Sequence, residues 1–271
     1  VRLQGVVVGP VDLESEQGFI STLQRHRPDI VVHTVGLTNV DECERDVERS
    51  RHVNVGLAEN VARATCRAGI RLIHISTDHL FAGDRPLRTE TDPPSPLNTY
   101  ARTKLLAEQR VREAHPEALV VRTNFFGWGP RNRRSFSDWI LDNLRANRAV
   151  TLFEDVFFTP ILIEVLARNA HELLDQGNNG VMNIVGDERI SKYEFGRRLA
   201  ERFSLNINLL RRGSVVGARL AAPRPNDMSL DNVLARRRLG RVLGRVDDFL
   251  DTLKSQETSG FAREIYETTM M

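Results

Sequence analysis

The chain has 271 residues, 41% hydrophobic and 27% charged, which suits one large α/β domain, alone or with a small lobe, and excludes disordered, collagen-like and fibrous classes. Its 38 Lys and Arg against 36 Asp and Glu leave a net charge of +2, no field to draw nucleic acid or an anionic membrane. Two cysteines, Cys43 and Cys66, cannot build a disulfide framework and fit a reducing cytoplasm, and no apolar run approaches the roughly 20 residues of a membrane span.

Gln4 to Val8 reads as a strand, too short to be the core of a signal peptide. The chain opens on Val1 rather than Met. A helix is predicted over Glu16 to Arg25, a β-branched buried strand over Asp29 to Thr34, and a long helix over Glu48 to Ala68. A strand from Arg71 to Ser76, a helix from Thr99 to Ala114 and a strand from Ala118 to Thr123 follow. Near-continuous apolar strands separated by helices predict βαβ units and a doubly wound, mainly parallel α/β sheet. The loop from Phe81 to Pro96 is long enough to suggest a functional segment. Beyond Gly129 the pattern loosens. Helices are expected at Ser135 to Arg145, Ile163 to Leu174, Ser191 to Phe203 and Phe249 to Lys254, with short strands at Ala149 to Leu152 and Val181 to Ile184 and a loop from Ala221 to Asn226. This divides the chain into a cofactor-binding domain, 1–130, and a mixed region with a smaller substrate lobe, 131–271. The basic run Arg236 to Arg238 reads as a solvated helix face.

The sharpest chemical signal is Tyr100-Ala-Arg-Thr-Lys104 at a predicted helix start. Residues four apart share a helical face, so phenol and ammonium can enter one cleft. A nearby ammonium is expected to lower the tyrosine pKa and make it a usable acid or base. Alone, the pair could equally be solvated. Upstream, the strand Leu72-Ile-His-Ile ends in Ser76-Thr77-Asp78, hydroxyls at a carboxyl strand end where open α/β sheets bind ligands.

The Ser-Thr-Asp strand end, the loop Glu90-Thr-Asp-Pro-Pro-Ser-Pro-Leu-Asn-Thr99 and the Tyr-x-x-x-Lys helix together resemble the extended short-chain dehydrogenase/reductases. Within them the chain looks like the dTDP-4-dehydrorhamnose reductase family, which also includes the regulatory subunit of methionine adenosyltransferase. The resemblance runs from about Val11 to Arg224-Pro225-Asn226 and is strongest from Arg27 to Lys104. It implies a Rossmann-type fold, reduction of a nucleotide-linked 4-keto sugar with NADPH or NADH, and possible homodimers. It implies Thr77 as hydrogen-bond donor to the carbonyl, Tyr100 as proton donor, and Lys104 as the cation that tunes Tyr100 and binds the nicotinamide ribose. Thr34, Val35 and Gly36 match the small-residue turn under the cofactor, Asp12 and Leu13 the adenine side, and Asn54 a buried helix Asn behind the site. Val40, Thr77, Asp78, His79, Asn124 and Phe125 fall at substrate-facing positions.

Departures accompany the match. The glycine-rich G-x-x-G-x-x-G phosphate loop is absent from the sequence, so a preceding strand and helix of roughly 30 residues are expected upstream. A member that lacks the loop is the alternative. His79 and Phe125 stand where sugar reductases usually carry Tyr and Trp, and no metal is expected. The absence of an acidic residue at the end of Gln4 to Val8 leans towards NADPH. Arg131-Asn-Arg-Arg134, after the Gly127-Trp-Gly-Pro130 turn, is a candidate phosphate loop or merely solvated. Asp41, Glu42 and Glu44 suit a helix dipole better than a carboxylate pair, and His33 and His74 read as satisfied core histidines. Two rival functions stay open: a sugar-nucleotide epimerase or dehydratase of the same superfamily, and a non-catalytic regulatory subunit.

Overall fold

β-branched runs and amphipathic stretches alternate into a parallel sheet flanked by helices. The computed structural model describes residues 6–7, 9–218 and 220–267. Ser15 caps α1 (Glu16–His26), its hydroxyl accepting the Gly18 amide, and β1 (Ile30–His33) follows. Asn39 caps the short α2 (Val40–Arg45). Next, α3 (Val47–Arg51) and α4 (Leu57–Arg67) run on through a π-helical turn, His52–Gly56, as one long rod. β2 (Arg71–Ile75), α5 (Thr99–Ala114) and β3 (Leu119–Arg122) complete the first half.

The second half holds β4 (Phe125–Phe126), α6 (Phe136–Arg145), β5 (Val150–Phe153), β6 (Phe157–Phe158), β7 (Ile161–Leu162) and α7 (Ile163–Asp175). β8 (Gly180–Asn183), β9 (Ile190–Ser191), α8 (Lys192–Arg202) and β10 (Leu210–Gly213) come next. Last are α9 (Val233–Leu239), α10 (Val246–Thr258) and α11 (Phe261–Glu267).

The main sheet has the order β1-β2-β3-β8, all parallel. Successive strand residues point to opposite faces, and the sequence supplies apolar side chains to both. Leu72 and Val120 face Phe19, Leu23, Val61 and Val111 of the helices α1, α4 and α5. Ile73, Leu119 and Val121 face Phe126, Leu173, Phe195, Phe249 and Leu253 on the other side. Each such fully buried side chain contributes about 1.5–3 kcal/mol.

Several expectations are corrected here. The strand expected to be buried at Asp29 to Thr34 is an edge among the described residues: it pairs only with β2, and Val32 is 42% exposed. Most of the strand expected at Gln4 to Val8 lies outside the described residues; Val6 and Val7 belong to no strand. The helix expected at Phe249 to Lys254 runs further, Val246–Thr258, because Asp248 caps its start by accepting the Arg245 amide at 3.0 Å. The strand expected at Val181 to Ile184 joins the main sheet beside β3.

Candidate active site

Four parallel strands leave their carboxyl ends on one side, and the side chains there line a cavity of about 720 Å³. Thr34, Val35 and Gly36 follow β1, Thr77, Asp78 and His79 follow β2, and Asn124 and Phe125 follow β3. Tyr100 and Lys104 reach the same cavity from α5, and Val40 from α2. The first turn of α5 is pinned from three sides. Asn98 Oδ1 accepts the Ala101 amide at 2.9 Å, its Nδ2 donates to the Pro223 carbonyl at 2.9 Å, and Glu44 accepts the Thr99 amide at 2.8 Å. An asparagine cap set just before Thr-Tyr therefore fixes where the phenol stands.

Tyr100 is buried, its ring edge-on to His79 with centroids 5.5 Å apart, and the Thr77 hydroxyl works to lower its pKa. Burial, with the Asp78 charge nearby, pushes its pKa up to about 12. The expected lowering by Lys104 is thus corrected. The reason is geometric: Lys104 Nζ donates to the Ile75 carbonyl at 2.8 Å, and burial is the largest influence on the phenol. The ammonium itself is pushed down to about 8 by burial, against the opposing charge of Glu108. Glu108, the next residue on the same helical stripe, is buried, bonded bidentately by Arg122 and by Ser76 at 2.6 Å.

Asp78 is buried at the strand end and accepts from Asn124 Nδ2 at 2.6 Å. Burial raises its pKa to about 6, and the Lys192 charge works the other way. His79 is pushed down to about 3, chiefly by burial and then by Lys192 and Arg224. It therefore stands in the cleft as a neutral ring.

The remaining sequence candidates divide between the cavity and its surroundings. Asp12, exposed, accepts the Glu14 amide at 2.9 Å, and the Leu13 carbonyl accepts from Asn60 at 3.0 Å; neither lines the cavity. Asn54 is buried in the π-helical turn and acts on the wall rather than in the cavity. Its Oδ1 accepts the Leu37 amide at 2.7 Å, and its Nδ2 donates to the Leu37 carbonyl at 3.2 Å and to Thr103 Oγ1 at 3.0 Å. Gly36 fits under it closely, since a Cβ there would stand 3.1 Å from Asn54 Oδ1. Asp41 pairs with Arg224 at 2.9 Å and Glu42 with Arg49 at 2.6 Å, which makes these carboxylates structural. Of the Arg131–Arg134 run, Arg133 and Arg134 line the cavity, and Arg134 is held there by Asp138, Asp142 and the Gly129 carbonyl. His33 and His74 are less satisfied than expected: their Nδ1 atoms lie 3.0 Å apart, and neither Nε2 has a partner among the described residues.

Sequence reasoning missed Trp128, Phe136 and Ile163, apolar walls of the cavity. It also missed Lys192, which lines a smaller adjoining cavity of about 290 Å³ together with His79 and Phe136. Helical spacing from Lys104 could have found Glu108; nothing local marks the apolar walls.

A proton donor, a second hydroxyl and a cation thus converge on one cleft, an arrangement that can hydrogen-bond a carbonyl and protonate its oxygen. Residues 2–254 match the family described as the RmlD substrate binding domain. A probable low-salt glycan biosynthesis reductase, Agl14, of Haloferax volcanii is 30% identical over 251 residues, covering 90% of this chain and 83% of that protein. The dTDP-4-dehydrorhamnose reductase of Salmonella typhimurium is 32% identical over 158 residues, 58% of this chain and 52% of that protein. Among solved structures, a dTDP-4-dehydrorhamnose reductase from Bacillus anthracis in complex with NADP superposes with a TM-score of 0.84 at 24% identity, over 91% of this chain and 87% of that one.

Proposed function

From a chain that belongs to the RmlD substrate-binding-domain family, we propose a nicotinamide-dependent reductase of the extended short-chain type, acting on a nucleotide-linked 4-keto sugar. The observation that carries this reading is the convergence of Thr77, Tyr100 and Lys104 on one cavity at the carboxyl end of a parallel sheet. The cofactor fits the residues present. Lys104 has three N–H donors and gives one to Ile75, leaving two for ribose hydroxyls, while Thr34, Val35 and Gly36 offer a small-residue wall that a flat ring can approach. When bound, NADPH supplies the hydride.

The chain's own residues do the rest. Thr77 Oγ1 donates to the substrate carbonyl oxygen and holds it beside the phenol. Tyr100 gives its proton to the same oxygen as it becomes the alkoxide. A phenol raised to about 12 stays protonated at neutral pH and so holds the proton that reduction consumes. Lys104 then stabilises the phenolate that remains. His79 and Phe136 wall the cavity without supplying charge. The unpaired cysteines, Cys43 and Cys66, are in keeping with a reducing cytoplasm.

The test is NADPH oxidation with a panel of nucleotide-linked 4-keto sugars. Tyr100→Phe keeps the packing and removes the proton, so kcat is expected to fall about 10²- to 10⁴-fold with the fold unchanged. Lys104→Met should lose comparable rate and also weaken NADPH binding. Thr77→Val, which removes one hydrogen bond, should be milder. Near-normal turnover by Tyr100→Phe would overturn the mechanism. Substrate conversion without net NADPH consumption would favour an epimerase or dehydratase.

A further inference from the structure

Only three of the 38 Lys and Arg are lysines: Lys104, Lys192 and Lys254. Arginine serves everywhere else, so each lysine position is unusual in this chain. Lys254 has an ordinary surface role, paired with Glu257 at 2.9 Å and lying over Phe203. Lys104 belongs to the site described above. Lys192 remains.

Lys192 opens α8 and lines the smaller cavity with His79, Phe136, Trp139 and Arg224. Its Nζ lies 3.3 Å from the ring centre of Phe158 and 4.8 Å from that of Phe136, and it has no carboxylate ion pair among the described residues. An ammonium on aromatic faces keeps its hydrogen-bond donors unspent. The groups facing it are Asp78, whose charge opposes the burial effect on Lys192, and His79 and Arg224. Asp78 already accepts from Asn124. Arg224 gives its guanidinium to Asp41 and to the Ala222 carbonyl. The wall therefore holds one uncommitted cation, against the same His79 and Phe136 that bound the catalytic cavity.

We infer that Lys192 anchors the phosphate group of the substrate, gripping the diphosphate of a nucleotide-linked sugar while the sugar's carbonyl rests at Tyr100. The inference rests on the reductase reading for its substrate class. The cofactor's own diphosphate is the other source of such an anion. It is disfavoured because the smaller cavity has none of Thr34, Val35, Gly36 or Lys104 in its wall. A sugar ring also carries its anomeric oxygen across from C4, so a carbonyl held at Tyr100 sends the phosphates away from the phenol.

Three lysines make the experiment direct. Protein labelled with ¹⁵N-lysine gives three Nζ signals, and Lys192→Arg identifies one by its loss. Saturating uridine or thymidine diphosphate is expected to shift the Lys192 signal and leave Lys254 unmoved, whereas NADPH should move Lys104 and not Lys192. Calorimetry with the same diphosphates should show Lys192→Met binding about 10- to 100-fold more weakly, the loss of a charged hydrogen bond to phosphate, with NADPH affinity unchanged. Lys192→Arg should recover part of the loss. In turnover the deficit should appear in KM rather than kcat.

A Lys192 signal indifferent to the diphosphates would overturn the inference. So would one that responds to NADPH alone, or a folded Lys192→Met that binds them as wild type does. If Lys192→Met fails to fold, the wild-type shifts decide. Failure of the reductase reading looks different: the wild-type protein binds diphosphate through Lys192 yet oxidises no NADPH with any keto sugar.

Discussion

Tyr100 and Lys104 stand one helical turn apart on α5, yet burial moves their proton affinities in opposite directions, to about 12 and about 8. Both shifts favour the neutral form, as loss of water around a charge requires. For Lys104 the consequence can be measured. Above about pH 8 the folded protein releases a proton that the unfolded lysine, at 10.5, still holds. The unfolded state then binds more protons, so the stability contributed here rises between about pH 8 and 10.5, by at most about 1.4 kcal/mol per pH unit. Lys192, pushed to about 8 by the same cause, adds a contribution of the same sign. Turnover should run the other way, falling as pH passes about 8, because the cation that steadies the phenolate disappears. Thermal melts and kcat measured together from pH 7 to 10 check this. Activity that stays level to pH 10 would show that the Lys104 charge is not needed. The spacing of Tyr100 and Lys104 was legible in the sequence because a helix repeats locally. The tyrosine shift was not, since the groups that bury the phenol come from segments far along the chain, His79 after β2 among them.

At the scale of elements, the rod formed by α3, the π-helical turn and α4 does more than cover the sheet. The turn lengthens the helical repeat locally, as π-bulges, frequent at functional sites, do. Asn54 sits in that turn, closing both polar groups of Leu37 and reaching Thr103 on α5. One side chain thereby joins the loop after β1 to the helix that carries Tyr100 and Lys104. Asn54→Ala would leave the Leu37 amide without its partner, at about 1–3 kcal/mol where water cannot reach, and its carbonyl with only the Cys43 thiol at 3.4 Å. A loss of about 1–3 kcal/mol in stability is expected, with weaker NADPH binding, since Gly36 lies directly beneath. Denaturant melts and NADPH titration of the variant test it. If Asn54→Ala matches wild type in both, the turn holds itself. The long helix from Glu48 to Ala68 could be read from its apolar spacing. The π-helical turn within it could not, because the loop it contacts through Asn54 lies seventeen residues away.

The whole molecule is knit across its two halves. β8, late in the chain, pairs with β3 as the fourth strand of the main sheet, and the Asn183 side chain at its end donates to the Arg88 and Asp231 carbonyls. Arg88 belongs to the long loop before α5, and its amide donates to the Ser229 carbonyl at 3.0 Å. One apolar cluster carries Ile73 and Val121 of the sheet together with Phe195 and Phe249 of helices from the second half. Sequence periodicity shows that each stretch has an apolar face but not which face it meets. Val181 to Ile184 therefore read as a strand whose partner was not legible. A division at residue 130 remains testable as a question of cooperativity. If the shared cluster couples the halves, heat should unfold the protein in one transition whose calorimetric and van't Hoff enthalpies agree. Phe249→Ala, expected to cost about 3–5 kcal/mol, and Ile73→Ala, about 2–5 kcal/mol, should lower the midpoint of that same transition from opposite ends of the chain. Two transitions, with Phe249→Ala moving only one of them, would show that the halves fold independently and that residues 1–130 form a unit of their own.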